Sequence, residues 1–400
     1  MRSARIFAVS IVAVFIGISY CQTSSATVPG QNGQLLITED DQGFGTLLLG
    51  DPVNGSEVKI SGFASNYGAS FSPDGASIGY IQNPGDQLWT KRLDEAGFPK
   101  QVTSELSGYV SSPVFTPDGS SILYGVGYDF DPGSELWEMP LAGGKAVSLG
   151  YWTNYNLDLA ISPDGKRLAL VTQNAEPCGG RGCYTFSDPR IVVMERDGSY
   201  PRTVDTDGLD VYNPSFSPDG SRIAFSGRPA GSNEPTQIYS SNPDGSRLNQ
   251  LTSTESGGSY PVYSPDGSEI AYSSNGVRIM DADGSNDRGI IPLPEGSYLN
   301  DWQRKAPFVI KDVKRRRLVL PVRVFGKGDI RLSGRGIRSS ARNVEPGTAR
   351  FKLKLRKGQR KRLRVRGKIS FKVKVRFSPE GALPNSITKR VTLRVSSRAR

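Results

Sequence analysis

Apolar residues follow two patterns along this chain, and the pattern changes near residue 303. Before that point, short apolar runs alternate with turn-forming residues. After it, apolar and basic residues alternate one by one. The runs "SIGYI", "SILYGV", "RLALV", "RIAFS" and "EIAYS" are too short for helices and predict buried strands next to the axis of a repeat architecture. Each run follows a copy of one turn: Ser72-Pro73-Asp74-Gly75, Thr116-Pro117-Asp118-Gly119, Ser162-Pro163-Asp164-Gly165, Ser217-Pro218-Asp219-Gly220 and Ser264-Pro265-Asp266-Gly267. Proline presets φ at the second position, aspartate bonds to nearby backbone, and glycine takes the left-handed conformation that ends the turn. The prolines at 73, 117, 163, 218 and 265 are 44, 46, 55 and 47 residues apart. A second turn recurs downstream as "MERDGS" (Met194 to Ser199), "SNPDGS" (Ser241 to Ser246) and "MDADGS" (Met280 to Ser285). Strands at a period in the forties predict a propeller with one four-stranded blade per repeat.

Five units begin at these turns, and a strand leading into a sixth, "YLNDWQ" (Tyr298 to Gln303), ends the pattern. The outer strands that this last unit lacks are supplied at the other end of the chain by "GQLLITED" (Gly33 to Asp40) and "GTLLLGDPVNGSEVKI" (Gly45 to Ile60). The expectation is an all-β protein: a six-bladed propeller over residues 27–303, closed by N-terminal strands so that no sheet edge is left free. The "FSPDG" turn, the apolar strand after it, the "DGS" turn and the closing "DWQ" resemble the repeats of TolB-like propellers of secreted bacterial proteins. The resemblance implies a partner-binding role at the cell envelope.

Arg2 and Arg5 precede an apolar stretch from Ile6 to Ile18, with small residues at Ser24 to Ala26, so residues 1–26 read as a secretory signal. Cys21 raises a lipoprotein alternative, although Tyr20 before it does not suit such a site. No later stretch is long and apolar enough to span a bilayer, so the mature chain is expected outside the cytoplasm, secreted or associated with the envelope, and monomeric. With the signal removed, Cys178 and Cys183 remain, bracketing "CGGRGC" in the longest repeat interval, where they predict a disulfide that staples an extended loop.

The chain has no histidine. That excludes a histidine-dependent nucleophilic triad and a histidine zinc site, and no GxSxG nucleophile elbow follows the propeller. The enzyme chemistry left is carboxylate chemistry. Asp129, Asp131 and Glu135 in "YDFDPGSE", and Asp205, Asp207 and Asp210 in "DTDGLD", can in principle supply an acid and a base or hold calcium. No EF-hand pattern is present, however, and Asp-Gly pairs between strands are usually turns. The aspartates of the five repeated turns are likewise explained by their turn type. No cofactor is expected, with calcium at Asp129, Asp131, Asp205 or Asp207 as the alternative.

Of the chain's 50 Lys and Arg and 39 Asp and Glu, 32 and 4 fall in residues 304–400, leaving 18 and 35 before them. An acidic repeat region thus precedes a strongly basic one, with "RKAP" (Arg304 to Pro307) as the expected linker. "FKLKLR" (Phe351 to Arg356), "RLRVR" (Arg362 to Arg366), "FKVKVRF" (Phe371 to Phe377) and "VTLRV" (Val391 to Val395) alternate apolar and basic residues and predict half-buried strands. With "RLVLPVRV" and "GDIRLSG" they make about seven strands, which suggests a small immunoglobulin-like β-sandwich over residues 304–400.

Its cationic face, with Lys352, Lys354, Arg356, Arg364, Arg366, Lys372, Lys374 and Arg376, invites an anionic cell-wall polymer or lipid headgroups. Nucleic acid is not expected, because Phe351, Phe371 and Phe377 fall on the inward side and leave no stacking platform among the basic residues. The bland alternatives are a solvated face, or one docked on its own acidic propeller. These features point to a non-enzymatic binding or scaffold protein, whose propeller meets a protein or glycan while the basic domain tethers it. The alternatives are a carboxylate-based glycan hydrolase or lyase in the propeller channel, and a TolB-type hub for envelope proteins.

Overall fold

The computed structural model describes residues 30–41, 44–82, 85–93, 98–103, 108–128, 131–152, 158–180, 182–305, 308–310, 319–324, 328–344, 347–366, 368–379 and 385–394. The expected signal at residues 1–26, Cys21 and Asp129 lie outside them. No described helix is long and apolar enough to cross a membrane.

The described residues between 30 and 305 form antiparallel sheets in chain order. Four are four-stranded, and the one holding both ends of the region is seven-stranded. A typical four-stranded sheet is Leu209–Phe216, Ile223–Pro229, Gln237–Ser241 and Asn249–Gln250. The apolar runs form the second strand of each sheet rather than the innermost. Leu168, Ala169, Leu170 and Val171 are all fully buried because neighbouring sheets cover both faces of their strand. The innermost position belongs to the strand before each repeated turn. These end strands touch in succession: Glu57–Phe71 meets Tyr109–Phe115, which meets Leu159–Ile161, then Leu209–Phe216, then Ser259–Tyr263, then Tyr298–Lys305, which meets Glu57–Phe71 again.

The circuit closes where the two ends of the region pair. Gln31–Asp41 lies antiparallel between Phe44–Gly50 and Tyr298–Lys305, with Leu35 opposite Trp302 and Leu36 opposite Asp301. Glu57–Phe71 serves two units. Its first half pairs with Phe44–Gly50 and, past a register shift, Ala69 to Phe71 pair with Ser77–Gln82. Leu35, Ile37, Leu48, Leu299 and Trp302 form one buried cluster with Val262 and Ile279 of the preceding sheet. Burying apolar surface at about 25 cal/mol per Å² makes such a seam strong. The closing strand runs on to Lys305, so the expected linker begins later: Arg304 pairs with Asn32 and Lys305 with Gln31.

The third interval owes its length to a protruding hairpin. Arg167–Pro177 pairs with Tyr184–Glu195, and Asn174 to Pro177 and Tyr184 to Ser187 continue the ladder where few side chains are buried. Cys178 and Cys183 are disulfide-bonded at its tip, just beyond the Pro177–Tyr184 pair.

The basic region contains a three-stranded sheet (Phe308–Ile310, Val319–Val324, Gly347–Lys352) and a four-stranded one in the order Ser340–Val344, Gly328–Ser333, Lys368–Pro379, Asn385–Arg394. One cluster unites them, with Leu320, Val322 and Phe351 from the first sheet and Ile330, Val373, Val375 and Phe377 from the second. The expected strand "RLRVR" is instead the end of a helix, Lys357–Arg366. Five alternating residues fit either element. As a strand it would turn both Leu363 and Val365 inward, whereas in the helix Leu363 packs on the shared cluster and Val365 is exposed. Gln, Arg, Lys and Leu are also good helix formers.

Candidate functional site

The repeated aspartates are bonded within their own turns. In each copy the Ser or Thr hydroxyl donates to the aspartate two residues on, at 2.6 Å for Ser72 to Asp74, 2.7 Å for Thr116 to Asp118, 2.6 Å for Ser162 to Asp164, 2.6 Å for Ser217 to Asp219 and 2.8 Å for Ser264 to Asp266. The amide two residues beyond donates to the same carboxylate, from Ala76, Ser120, Lys166, Ser221 and Ser268. Each hydroxyl also accepts the amide five residues on, as Arg167 N does to Ser162 Oγ at 2.9 Å. The glycine closes the turn from the left-handed region, with φ of +74° at Gly165.

Successive turns also touch. A side chain at Gly119 would meet Pro73, one at Gly165 would meet Pro117, one at Gly220 Pro163, and one at Gly267 Pro218. At the closure, where no sixth turn exists, other groups take over. The Gly30 amide donates to the Pro265 carbonyl at 2.8 Å, Gln303 Nε2 donates to the Gly75 carbonyl at 2.7 Å, and Arg304 Nη1 reaches the Pro73 carbonyl at 3.4 Å. A Cβ at Gly75 would collide with the backbone carbonyl of Arg304, so the end of the closing strand occupies the missing turn's seat. Arg304 is only 4 % exposed, and its Nε and Nη2 have no hydrogen-bond partner among the described residues. Burial pushes its pKa down to about 10, against the opposing charge of Asp74, and it remains a cation at neutral pH. Sequence reasoning placed this residue in a linker. Its burial depends on Gly30 and Gly75, both remote in the chain.

The acidic candidates are engaged locally. Asp131 accepts the Gly133 amide at 3.2 Å and Asp205 the Asp207 amide at 3.2 Å. Glu135 accepts from Tyr128 and Trp137, both at 3.1 Å, and Asp210 from the Gly231 amide at 3.3 Å. Among the described residues no group of acidic side chains or cysteines is placed to hold a metal. Two buried carboxylates that the sequence reading passed over, Asp158 and Asp301, lie on or beside the innermost strands. Asp158 accepts the Asn213 amide at 3.1 Å and Asp301 the Phe71 amide at 2.7 Å, which stitches adjacent units together. The one sequence signal was an Asp just before an inner strand or within it, in "LDLAI" and "NDW".

The eight basic candidates do not share one face. Lys352 ends a strand of the three-stranded sheet and Lys354 and Arg356 follow it, whereas Arg364 and Arg366 lie on the helix. Lys372, Lys374 and Arg376 share one face of the four-stranded sheet, exposed at every second position while Phe371, Val373, Val375 and Phe377 are buried. Arg331 lies directly opposite Arg376 across the ladder and is also exposed. Like charges in that position destabilise a sheet.

This face shares a cavity of about 1000 Å³ with the repeated turns. Lys374 and Arg376 line it together with Asp74, Asp118, Lys100 and Arg304, and half-buried apolar side chains, Val102, Trp137, Met139 and Leu141, form its floor.

No protein-family model matches the chain, and no curated protein does. Solved structures do. TolB from Acinetobacter baumannii superposes with a TM-score of 0.53 at 19 % identity, over 70 % of this chain and 68 % of that one. Hydrazine synthase from Kuenenia stuttgartiensis gives a TM-score of 0.53 at 13 % identity, over 92 % and 68 %. A nidogen/laminin complex gives 0.51 at 14 %, over 68 % and 97 %. The repeat region has a TolB-like β-propeller fold.

Proposed function

We propose that this chain is an extracytoplasmic binding protein, in which a six-bladed propeller presents loops to a partner and a basic β-sandwich of immunoglobulin type tethers it to an anionic envelope. The circuit of six innermost strands supports the blade count, and two sheets over one core support the sandwich. The reading assigns the protein positioning rather than catalysis, in keeping with Asp131, Glu135, Asp205 and Asp210 each accepting local hydrogen bonds. Rigid blades hold the variable loops, of which the stapled hairpin projects furthest along its own ladder.

The observation that carries the tether is the cationic face of the four-stranded sheet, where Lys372, Lys374, Arg376 and Arg331 stand exposed with like charges opposed. Its anion is a cell-wall polymer or a lipid headgroup, held by field rather than by shape. Binding of the mature chain to isolated envelope across a salt titration tests this. Affinity should fall steeply with salt, and Lys372→Ser and Arg331→Ser should each weaken binding about five-fold at low salt, from about 1 kcal/mol per surface cation. Binding indifferent to salt and to both substitutions would refute the tether.

A further inference from the structure

The cavity between the repeated turns and the basic sheet is amphipathic. Its floor is apolar: Val102, Trp137, Met139 and Leu141 are half-buried side chains packed on the cluster of Phe115 and Tyr124, which also line it. Its lining also carries cations, Lys374 and Arg376, both exposed on their strand. Lys100 and the buried Arg304 raise the lining to four cations against two carboxylates, Asp74 and Asp118. Both carboxylates are already committed: Asp74 accepts from Ser72 and Ala76, and Asp118 from Thr116 and Ser120. Of the cations, Arg304 spends only Nη1, on the Pro73 carbonyl at 3.4 Å. No described carboxylate lies within ion-pair distance of Lys374, Arg376 or Arg304. An apolar floor, a surplus of cations and a volume at the upper end of ligand pockets together select for one kind of molecule.

We propose that this cavity is a binding site for an amphiphilic anion, with its apolar body on Trp137, Met139 and Leu141 and its anionic head between Lys374 and Arg376. The desolvated charge of Arg304 in the wall adds to the field at the head. Water satisfies a bare ion better than an apolar floor does, so the floor makes a simple inorganic anion a poor occupant. The cations do the same for a neutral apolar molecule.

This site shares Lys374 and Arg376 with the face proposed for the envelope tether, but that face extends further to Lys372 and Arg331, neither of which lines the cavity. The test is a titration of the full mature chain with dodecyl phosphate below its micelle concentration, beside inorganic phosphate and dodecyl maltoside, followed by calorimetry and tryptophan fluorescence. Dodecyl phosphate should bind saturably at one per chain, with both controls at least tenfold weaker. Lys374→Ser should weaken it about tenfold, Leu141→Glu should abolish it, and Lys372→Ser should leave it unchanged. Equal binding of inorganic phosphate would reduce the cavity to a simple anion site and overturn the proposal. Equal binding of the maltoside, or no effect of Lys374→Ser, would overturn it as well. Should Leu141→Glu fail to fold, the exposed Lys374 still decides. The expected five-fold weakening of envelope binding in Lys372→Ser, with dodecyl phosphate binding intact, would separate the two functions.

Discussion

Asp164 shows what a single residue does in this fold. Partial burial raises its pKa, but the hydrogen bonds from Ser162 and the Lys166 amide and the charge of Arg167 outweigh that, and the carboxyl sits below its ordinary range. Asp118, Asp219 and Asp266 are lowered in the same way against their own partial burial. A depressed carboxylate contributes stability that is present above its unfolded pKa and lost as pH falls through the folded one. The thermal midpoint should therefore hold from neutrality to about pH 5 and drop below about pH 4, as these turns protonate together. Asp164→Asn keeps an acceptor that does not titrate and should flatten part of that drop; Asp164→Ala should cost about 1 kcal/mol at pH 7 in denaturant unfolding. These turns were legible in the sequence because proline fixes φ and glycine accepts the positive φ that ends the turn. Arg304 was not, since nothing local distinguishes a buried cation from a linker cation.

Elements were legible in proportion to their length and the regularity of their pattern. The seven alternating positions from Phe371 to Phe377 can only be a strand with one covered face, and burial follows them one by one. The five from Arg362 to Arg366 admit a helix, and the packing of Leu363 on the shared core selected it. The stapled hairpin was visible only as a stretched interval and two cysteines; the ladder beneath them needed pairing between Arg167–Pro177 and Tyr184–Glu195. The disulfide closes a loop so short that the chain-entropy model gives it about 2 kcal/mol. Because the hairpin's outer half is exposed, Cys178→Ser should loosen Asn174 to Ser187 in hydrogen exchange while leaving the protection of Leu168 to Val171 unchanged. Equal loss in both would mean that the hairpin and its sheet open as one unit.

At the scale of the whole molecule, closure rests on pairing between residues far apart in the chain, and the sequence showed it only as an incomplete count of strands. The same count could not place the cavity, whose walls come from two sheets of the propeller, the closing strand and the basic sheet. Trp302 tests the seam: it is 3 % exposed, packs with Leu35 and Leu299, and donates from Nε1 to the Gly33 carbonyl at 3.3 Å. Trp302→Ala should cost about 3–5 kcal/mol, read as a shift in the denaturant midpoint.

The seam also sets an order of events in synthesis. Strand Gln31–Asp41 is made first, yet its partner on one side, Tyr298–Lys305, is made some 260 residues later. At about 5–20 residues per second, that interval leaves Leu35, Leu36 and Ile37 beside an unpaired edge for many seconds. The growing chain therefore spends most of its synthesis with a sticky open edge. A holding factor that keeps the nascent chain unfolded until residue 305 has emerged would protect it, whereas early folding would leave the ring unsealed and prone to join a second copy.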